Sequence, residues 1–475
     1  MKYKLLTLTL LLLGASLHGQ EAVNLSLNEA QAYAVEHNKT LENARLDISS
    51  SEAKVKESIA QGLPQIDATL DWMTYFGYEM EFDFSMGGGD FNPSPDQMAE
   101  AWNKTSAQFP NVTQQDLQIY QAGSFFEQQI SSMIPASTIE MTDASTAALQ
   151  IGQLIFSGQY WAGIDAAKLG KKIAKQGLEN SILDIKESVT NSYLMALVTQ
   201  QSIETLEASI KNLNKVKKHT EMMYKTGMAE QTDVDQLSIQ VTMLENNLRS
   251  MQRGLSMTYS MLKFQLGLQS SQELKLTNSL DDVTSELNPL QANETFDVTN
   301  NITYQLTQTR SELTEKMLDM EKWSYAPTLS GFYTYNQKLL TTGFDMTPNH
   351  MAGVTLSMPI FSSGSRKHKV TQAKIELDKA RINQEMLKEQ LEIQKDQLLA
   401  DLKNAIENHE AQKKNVEIAN RVYENIERKY EQGMVSSLEL TQINSNYLEA
   451  ESNYIQSLMT LLQAKVAIDK LYNQL

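Results

Sequence analysis

Two long parts of this chain place apolar residues at the spacing of an α-helix. Between positions 178 and 226 they recur every three or four residues, as in Ile182, Ile185, Val189, Tyr193 and Ala196, which is the pattern of an amphipathic helix. No glycine or proline interrupts positions 178–226, 365–432 or 434–475. Because such runs far exceed the roughly 8–20 residues of a globular helix, they predict a coiled coil or a helical array.

A short motif interrupts each helical part at the same place. Tyr224-Lys225-Thr226-Gly227-Met228 returns 206 positions later as Tyr430-Glu431-Gln432-Gly433-Met434. A lone glycine in a long helical pattern indicates a C-cap, and Thr232 and Ser436 or Ser437 are candidates for the next N-cap. Each glycine is therefore predicted to mark the tip of a helical hairpin, the first over 159–266 and the second over 365–475.

Before each long hairpin the period of the pattern changes from 3.6 to 2. After Pro64 the even positions are mostly apolar and the odd positions mostly polar or acidic; the even ones begin Ile66, Ala68, Leu70 and Trp72. This alternation and its aromatic content suit a transmembrane β-strand, which needs about 10 residues in the bilayer. Weaker copies predict three more strands, so that the four cover 64–84, 144–156, 327–336 and 351–361.

Four strands per chain are too few to close a membrane barrel. Open strand edges are excluded from lipid, and the smallest closed bacterial barrels have about eight strands. If the strands span a membrane, several chains must share one barrel, and three copies would supply twelve strands. The alternative is a four-stranded sheet in the periplasm.

The order helix, strand, strand, long hairpin occurs twice, which predicts two internal repeats over 20–266 and 267–475. Residues 1–19 place two lysines before an uncharged leucine-rich run, as in a secretory signal peptide. The remaining predicted segments are an insert at 85–143, a segment at 267–300 and a helix at 301–325.

Charge and composition argue against several classes of function. The 58 Asp and Glu outnumber the 41 Lys and Arg to give a net charge of −17, which disfavours nucleic acid because phosphate binding needs clustered basic residues. Cysteine is absent, the six histidines have no ligand spacing, and no phosphate-binding loop or serine nucleophile elbow occurs. We therefore expect no enzyme activity, no cofactor and no metal.

Three kinds of motif occur twice and in the same order: a strand-to-helix turn, a strand that starts at proline, and a hairpin tip. They are Ile155-Phe156-Ser157-Gly158 and Ile360-Phe361-Ser362-Ser363-Gly364, Pro64-Gln65-Ile66 and Pro327-Thr328-Leu329, and Tyr224-x-x-Gly227-Met228 and Tyr430-x-x-Gly433-Met434. This ordered set, over essentially the whole mature chain, resembles the TolC-like outer-membrane efflux channel family.

The resemblance implies a mixed fold of helices and membrane strands, in which the insert at 85–143 is extracellular and the segment at 267–300 is equatorial. Long antiparallel coiled-coil hairpins would form an α-barrel in the periplasm, and four strands per chain would enter a trimeric 12-stranded β-barrel in outer-membrane lipid of a Gram-negative envelope. The implied function is a passive exit duct for a tripartite efflux or type I secretion system. Its implied partners are two further copies of the chain, a periplasmic adaptor protein and an inner-membrane pump.

The resemblance also implies a periplasmic gate near the hairpin tips. Thr232, Asp233, Tyr430 and Glu439 match its positions, whereas Val435 and Gln442 stand where the family has a linking arginine and a second acid. A ring of carboxylates from Asp233 and Glu439 would favour cations. The expected adaptor-docking tips are Gly227, Met228, Gly433 and Met434, because an exposed apolar tip is unfavourable without a partner.

Two other classes of protein are alternatives. A periplasmic coiled-coil adaptor, or membrane fusion protein, that links pump to channel would need one hairpin flanked by small β-domains, whereas two hairpins and aromatic strands are predicted here. A trimeric adhesin-like stalk would need sustained heptads and offers no reason for the repeat.

Overall fold

The computed structural model describes residues 23–76, 78–82, 137–140, 142–287, 296–340 and 347–475, together with positions 95, 96, 99 and 103. Most of the insert predicted at 85–143 and the signal peptide predicted at 1–19 lie outside the described residues. The chain divides into two compact units. A helical unit draws on Met1–Ile59, Gly158–Tyr325 and Ile360–Leu475, and a sheet unit on Ala60–Ser157 and Ala326–Pro359.

The described elements follow in chain order: β1 (Val23–Leu25), α1 (Leu27–His37), α2 (Lys39–Ala60), β2 (Gln65–Met73), β3 (Glu79–Phe82), β4 (Ser137–Glu140), β5 (Ala144–Phe156), α3 (Gly158–Lys225), α4 (Gln231–Leu266), β6 (Leu274–Leu276), α5 (Leu280–Leu287), a 3₁₀ turn (Val298–Asn300), α6 (Ile302–Trp323), β7 (Thr328–Leu340), β8 (His350–Ser357), α7 (Ser365–Glu431) and α8 (Ser437–Leu471).

The helical unit contains two long helical hairpins. Helix α3 has 68 residues and returns through the 36 residues of α4, while α7 has 67 residues and returns through the 35 of α8. At a rise of about 1.5 Å per residue the longer arms extend about 100 Å. Helices of this length cannot be buried by a single compact core, so their apolar stripes are covered in separate clusters along the arms.

The largest cluster surrounds the middle of α3. Fully buried Tyr193 and Leu194 pack with Leu266 of α4 and Leu462 of α8. The parallel strands β1 and β6 and the helices α1 and α5 also contribute buried residues to this cluster. The Tyr193 hydroxyl donates a hydrogen bond to the carbonyl of Leu25 in β1 at 3.0 Å. The one polar group of this buried ring therefore has a partner.

A second cluster joins the four long helices near their turns. It contains buried residues of α3, α4, α7 and α8: Leu206, Leu213, Val216, Leu237, Val241, Leu244, Tyr423, Tyr430 and Leu440. Below we call this set the tip core. It brings the ends of both hairpins together, which places the predicted gate residues in one neighbourhood.

The sheet unit is built on four antiparallel strands in the order β2-β5-β7-β8. The register places Gln65 opposite Gly152 at one edge and Tyr335 opposite His350 at the other. Among the strands that the structure describes, β2 and β8 each have a neighbour in this sheet on one side only. The four strands thus end in two open edges.

Two local expectations differ from the structure. The strand predicted over 64–84 ends at Met73 and resumes as β3, which pairs with β4 in a separate sheet. Between them Phe76 has a φ of 53°, and the Tyr78 N–H bonds to the Tyr75 carbonyl in a turn; a left-handed residue cannot continue a strand. At the start of α4 the N-cap is Glu230 rather than Thr232, whereas Ser436 caps α8 as expected.

Candidate functional site at the hairpin tips

Both hairpin turns are closed by a glycine in the left-handed conformation. Gly227 has a φ of 77° and Gly433 a φ of 71°. In each turn the next N–H reaches back to close the helix: Met228 to the carbonyl of Met223 at 2.8 Å, and Met434 to that of Lys429 at 2.9 Å. This is the hydrogen-bond pattern of a Schellman C-cap, which side chains with a Cβ disfavour.

The residue after each glycine presents an apolar side chain to solvent. Met228 is 76% exposed and Met434 is 65% exposed. A Cβ added at Gly227 or Gly433 would meet no atom within 4 Å, so the surface around the turns is open. The two tips therefore combine tight backbone closure with uncovered thioether side chains.

Asp233 lies at the start of α4 and contacts both hairpins. Its Oδ2 accepts a hydrogen bond from the N–H of Glu230 at 3.0 Å, which caps its own helix. Its Oδ1 accepts a hydrogen bond from the Ser437 hydroxyl of α8 at 2.6 Å. Ser437 is only 3% exposed, so this bond is shielded from water on one side.

Tyr430 lies in the tip core and is 5% exposed. Its hydroxyl is 2.5 Å from that of Thr220 on α3. Because the single Thr220 proton is donated to the Val216 carbonyl at 2.9 Å, Tyr430 is the donor of this bond. Burial raises the pKa of the Tyr430 phenol, and the nearby Asp233 carboxylate acts in the same direction, so the phenol stays protonated and able to donate.

The other two predicted gate residues, Thr232 and Glu439, make hydrogen bonds at the starts of their own helices. Thr232 is exposed and its hydroxyl bonds to a carboxylate oxygen of Glu230 at 3.2 Å. The Glu439 side chain is exposed, and its N–H bonds to the Ser436 hydroxyl that caps α8. Where the resemblance implies an arginine, half-buried Val435 packs against the tip core.

The sequence patterns did not identify Thr220 or Ser437 as members of this site. The sequence indicates Ser437 only as a possible helix cap, and it gives no signal at Thr220. The bonds that they make span 210 and 204 positions of the chain. Such partners become visible only when the packing of the two hairpins is known.

A different surface is exposed on the sheet unit. Apolar side chains of the two edge strands are largely uncovered, and these are Ile66, Leu70, Trp72, Val354 and Leu356. The two strands that carry them are also the ones with unpaired edges. An apolar patch on an open sheet is unfavourable in water and usually marks a contact surface.

None of the helices in the part of the chain that the structure describes combines the length and hydropathy that a transmembrane span requires. Across the same residues, no three His, Asp or Glu side chains are grouped so that they could hold a metal ion.

Comparison with known proteins identifies one family and one fold. The model of the outer membrane efflux protein family matches residues 322–474. No curated protein sequence matches the chain.

Several solved outer-membrane proteins have the same fold as this chain. The CmeC outer membrane channel of Campylobacter jejuni is 14% identical, with 94% of this chain and 85% of that one covered and a TM-score of 0.66. VceC from Vibrio cholerae is 16% identical over 94% and 95%, with a TM-score of 0.64. The MtrE outer membrane channel of Neisseria gonorrhoeae is 12% identical over 96% and 93%, also with a TM-score of 0.64.

At these identities the structural likeness establishes the fold, and the family match adds sequence evidence for residues 322–474, about the last third of the chain. Residues 322–474 are thus similar to outer membrane efflux proteins, and the chain has the fold of outer-membrane channels, which confirms its resemblance to the TolC-like outer-membrane efflux channel family.

Proposed function

We propose that this chain is the subunit of a trimeric outer-membrane efflux duct. The observation that carries the proposal is the four-stranded sheet with two open edges and apolar side chains exposed on both edge strands. Lipid would cover the apolar side chains, and neighbouring copies would pair the edges. Three copies would supply twelve strands, enough for closure, whereas the four strands of one chain are fewer than the roughly eight of the smallest barrels.

The long hairpins support a periplasmic extension of the duct. Arms of about 100 Å would reach from the outer membrane towards an inner-membrane pump, in a tripartite efflux or type I secretion system. The exposed Met228 and Met434, with Gly227 and Gly433 beside them, are the proposed docking sites for a periplasmic adaptor. The similar lengths of the two hairpins and their matching turns support two internal repeats.

The tip residues support a gate at the periplasmic end. Asp233 and Glu439 would place carboxylates around the constriction and favour cations, while Tyr430 holds the hairpins together and Thr232 lies beside the acids. Conduction through such a duct would be passive, with selectivity for the exported compound lying mainly in the pump. A periplasmic adaptor function for this chain gains no support from the family match or from the structural likeness.

The first test is the mass and heat-modifiability of the protein after detergent extraction of the outer-membrane fraction. A species near three times the 53.5 kDa of the chain, less its signal peptide, is expected before heating and a single chain after it. A monomer, or a protein released as soluble periplasmic material, would contradict the shared barrel.

A further inference from the structure

Each oxygen of the Asp233 carboxylate accepts a hydrogen bond. One oxygen is bound by the backbone of its own helix cap, at Glu230, and the other by the Ser437 side chain of the opposite hairpin. Removal of Ser437 would therefore leave the helix cap in place and break only the link between hairpins. The two contributions of Asp233 can be separated by experiment.

The link between Asp233 and Ser437 has the features of a strong hydrogen bond. A distance of 2.6 Å from hydroxyl to carboxylate oxygen is typical of a charge-assisted bond, which is shorter and roughly twice as strong as one between neutral groups. Ser437 is buried and Asp233 half-buried, and reduced access of water strengthens such a bond further. It ties the first turn of α4 to the first turn of α8.

The donor in this link carries no charge. Ser437 holds Asp233 by a hydroxyl, so the carboxylate keeps its full negative charge while it is held. Val435, two residues before Ser437, contributes an apolar side chain to the tip core instead of a charge. A link of this kind depends less on ionic strength than an exposed salt bridge, which mobile ions screen.

We propose that Ser437 is a positioning residue that holds the gate closed through its hydrogen bond to Asp233. We call this hydrogen bond the clasp. The inference rests on the proposed efflux duct, because it assigns to Ser437 a role in the gate of that duct. Opening separates the starts of α4 and α8 and requires the Asp233 carboxylate to exchange the Ser437 hydroxyl for water. Asp233 thus has two roles: its charge selects ions and its Oδ1 anchors the closed state.

The clasp itself is tested by amide hydrogen exchange on the full-length protein in detergent. Ser437→Ala should accelerate exchange about tenfold in the first turns of both α4 and α8, equivalent to about 1.4 kcal/mol. The matched control is Ser238→Ala, because the Ser238 hydroxyl bonds only to the Val234 carbonyl of its own helix among the described contacts. Equal exchange in the two variants would overturn the clasp.

A double-mutant comparison tests whether Ser437 acts through Asp233. In an Asp233→Ala background, Ser437→Ala should add less than twofold to the exchange rate, because the shared bond is already lost. Full additivity of the two substitutions would overturn the proposal, since Ser437 would then act by another route.

Conductance in planar bilayers tests the role in gating. Ser437→Ala should increase the open fraction about tenfold, and the increase should be similar at about 0.1 M and 1 M KCl, where screening differs strongly. Unchanged opening with accelerated exchange would make the clasp purely structural and overturn its role in the gate. If neither the parent protein nor the variant conducts, the proposed duct fails, while hydrogen exchange still decides whether the clasp exists.

Discussion

Tyr430 on α7 donates a hydrogen bond to Thr220 on α3, with 2.5 Å between the two oxygens. The bond is buried. It joins the longer arms of the two hairpins, α3 and α7, through residues that are 210 positions apart in the sequence. The His219 ring packs edge-on at 6.5 Å from the Tyr430 ring, which further fixes the phenol. The tips of the two hairpins are therefore held together by a polar contact as well as by the tip core.

Replacement of Tyr430 by Phe should lower stability by about 1–2 kcal/mol. The change removes the phenol and leaves the buried Thr220 hydroxyl without its donor, which costs more than loss of an exposed bond. Thermal unfolding of the detergent-solubilised protein measures the effect. Tyr224→Phe is the matched control, because Tyr224 has the same place in the first tip motif and is 45% exposed; equal losses in both variants would contradict the assignment.

Removal of both proposed gate acids should reduce cation preference. With Asp233→Ala and Glu439→Ala, each subunit loses two negative charges near the proposed constriction, and the reversal potential in a KCl gradient should move towards zero. Asp47→Ala with Glu57→Ala removes the same charge from α2, outside the hairpins, and should leave the reversal potential unchanged. Equal shifts in the two double variants would remove the gate assignment without excluding a channel.

The exposed methionines at the tips should lie within reach of a partner protein. Because the chain has no cysteine, Met434→Cys creates a unique site for a thiol-reactive photo-crosslinker. After irradiation of intact envelopes we expect an adduct larger than the proposed trimer, since the tip is the proposed adaptor-docking surface. Met257→Cys on α4 is a comparably exposed control, and equal adduct yields at both positions would argue against docking at the tips.

The buried ion pair on α8 should affect stability mainly when one partner is removed and the other is left charged and unpaired. Lys465 and Asp469 contact each other with both side chains only 11% exposed, and burial raises the pKa of Asp469. Asp469→Ala leaves an unpaired buried ammonium and should cost about 3–5 kcal/mol, while replacement of both residues by Leu should cost much less.

The control for the buried pair is the exposed pair of Lys379 and Glu376 at 2.8 Å. Its loss through Glu376→Ala should cost less than about 1 kcal/mol because solvent screens exposed pairs. Denaturant unfolding in detergent compares the three variants. Similar losses for Asp469→Ala and Glu376→Ala would show that burial of the α8 pair has no energetic consequence.

His409 should make the protein less stable in mild acid. Burial lowers the pKa of the ring, and the charge of nearby Lys413 adds to the effect while Glu410 opposes it. The ring stacks on Tyr454 of α8 at 5.2 Å and its Nδ1 lies 3.2 Å from the Ser457 hydroxyl. The unfolded chain binds the proton more readily than the folded chain. The stability that neutral His409 contributes is therefore fully present above about pH 6.5 and is lost as the pH falls through the depressed pKa.

Thermal unfolding at about pH 7.5 and about pH 5.5 measures this dependence. His409→Gln should flatten the difference between the two melting temperatures, because it removes the group that takes up the proton. The exposed His368→Gln variant should retain it. An unchanged pH dependence in His409→Gln would assign the acid sensitivity to other groups.

Local patterns in the sequence predicted much of the fold. The helical period and the absence of glycine and proline indicated α3 and α7, and the paired glycines indicated both turns, where Gly227 and Gly433 take positive φ values. Strand β5 runs over Ala144–Phe156, the range that the alternating pattern predicted. These features depend on interactions between neighbours in sequence, which a single sequence records.

Features that depend on tertiary packing were not predictable in the same way. The tip motifs at Tyr224 and Tyr430 look alike, yet the first tyrosine is exposed and the second buried, because the second packs in the tip core and bonds to Thr220 of α3. The contact of Ser437 with Asp233 depends on the same packing. The interruption of the first strand at Phe76 escaped prediction because apolar and polar positions continue to alternate through the turn.

The central cluster of the helical unit contains Leu25 of β1 and Val466 of α8, which lie about 440 positions apart. Contacts this distant in sequence close slowly, because the entropy of the intervening loop is lost before any contact is gained. The cluster cannot be completed until nearly the whole chain has been synthesised. For an exported subunit, as proposed above, this delay would keep the polypeptide unfolded until translocation, so the topology itself would protect against premature folding on the wrong side of the membrane.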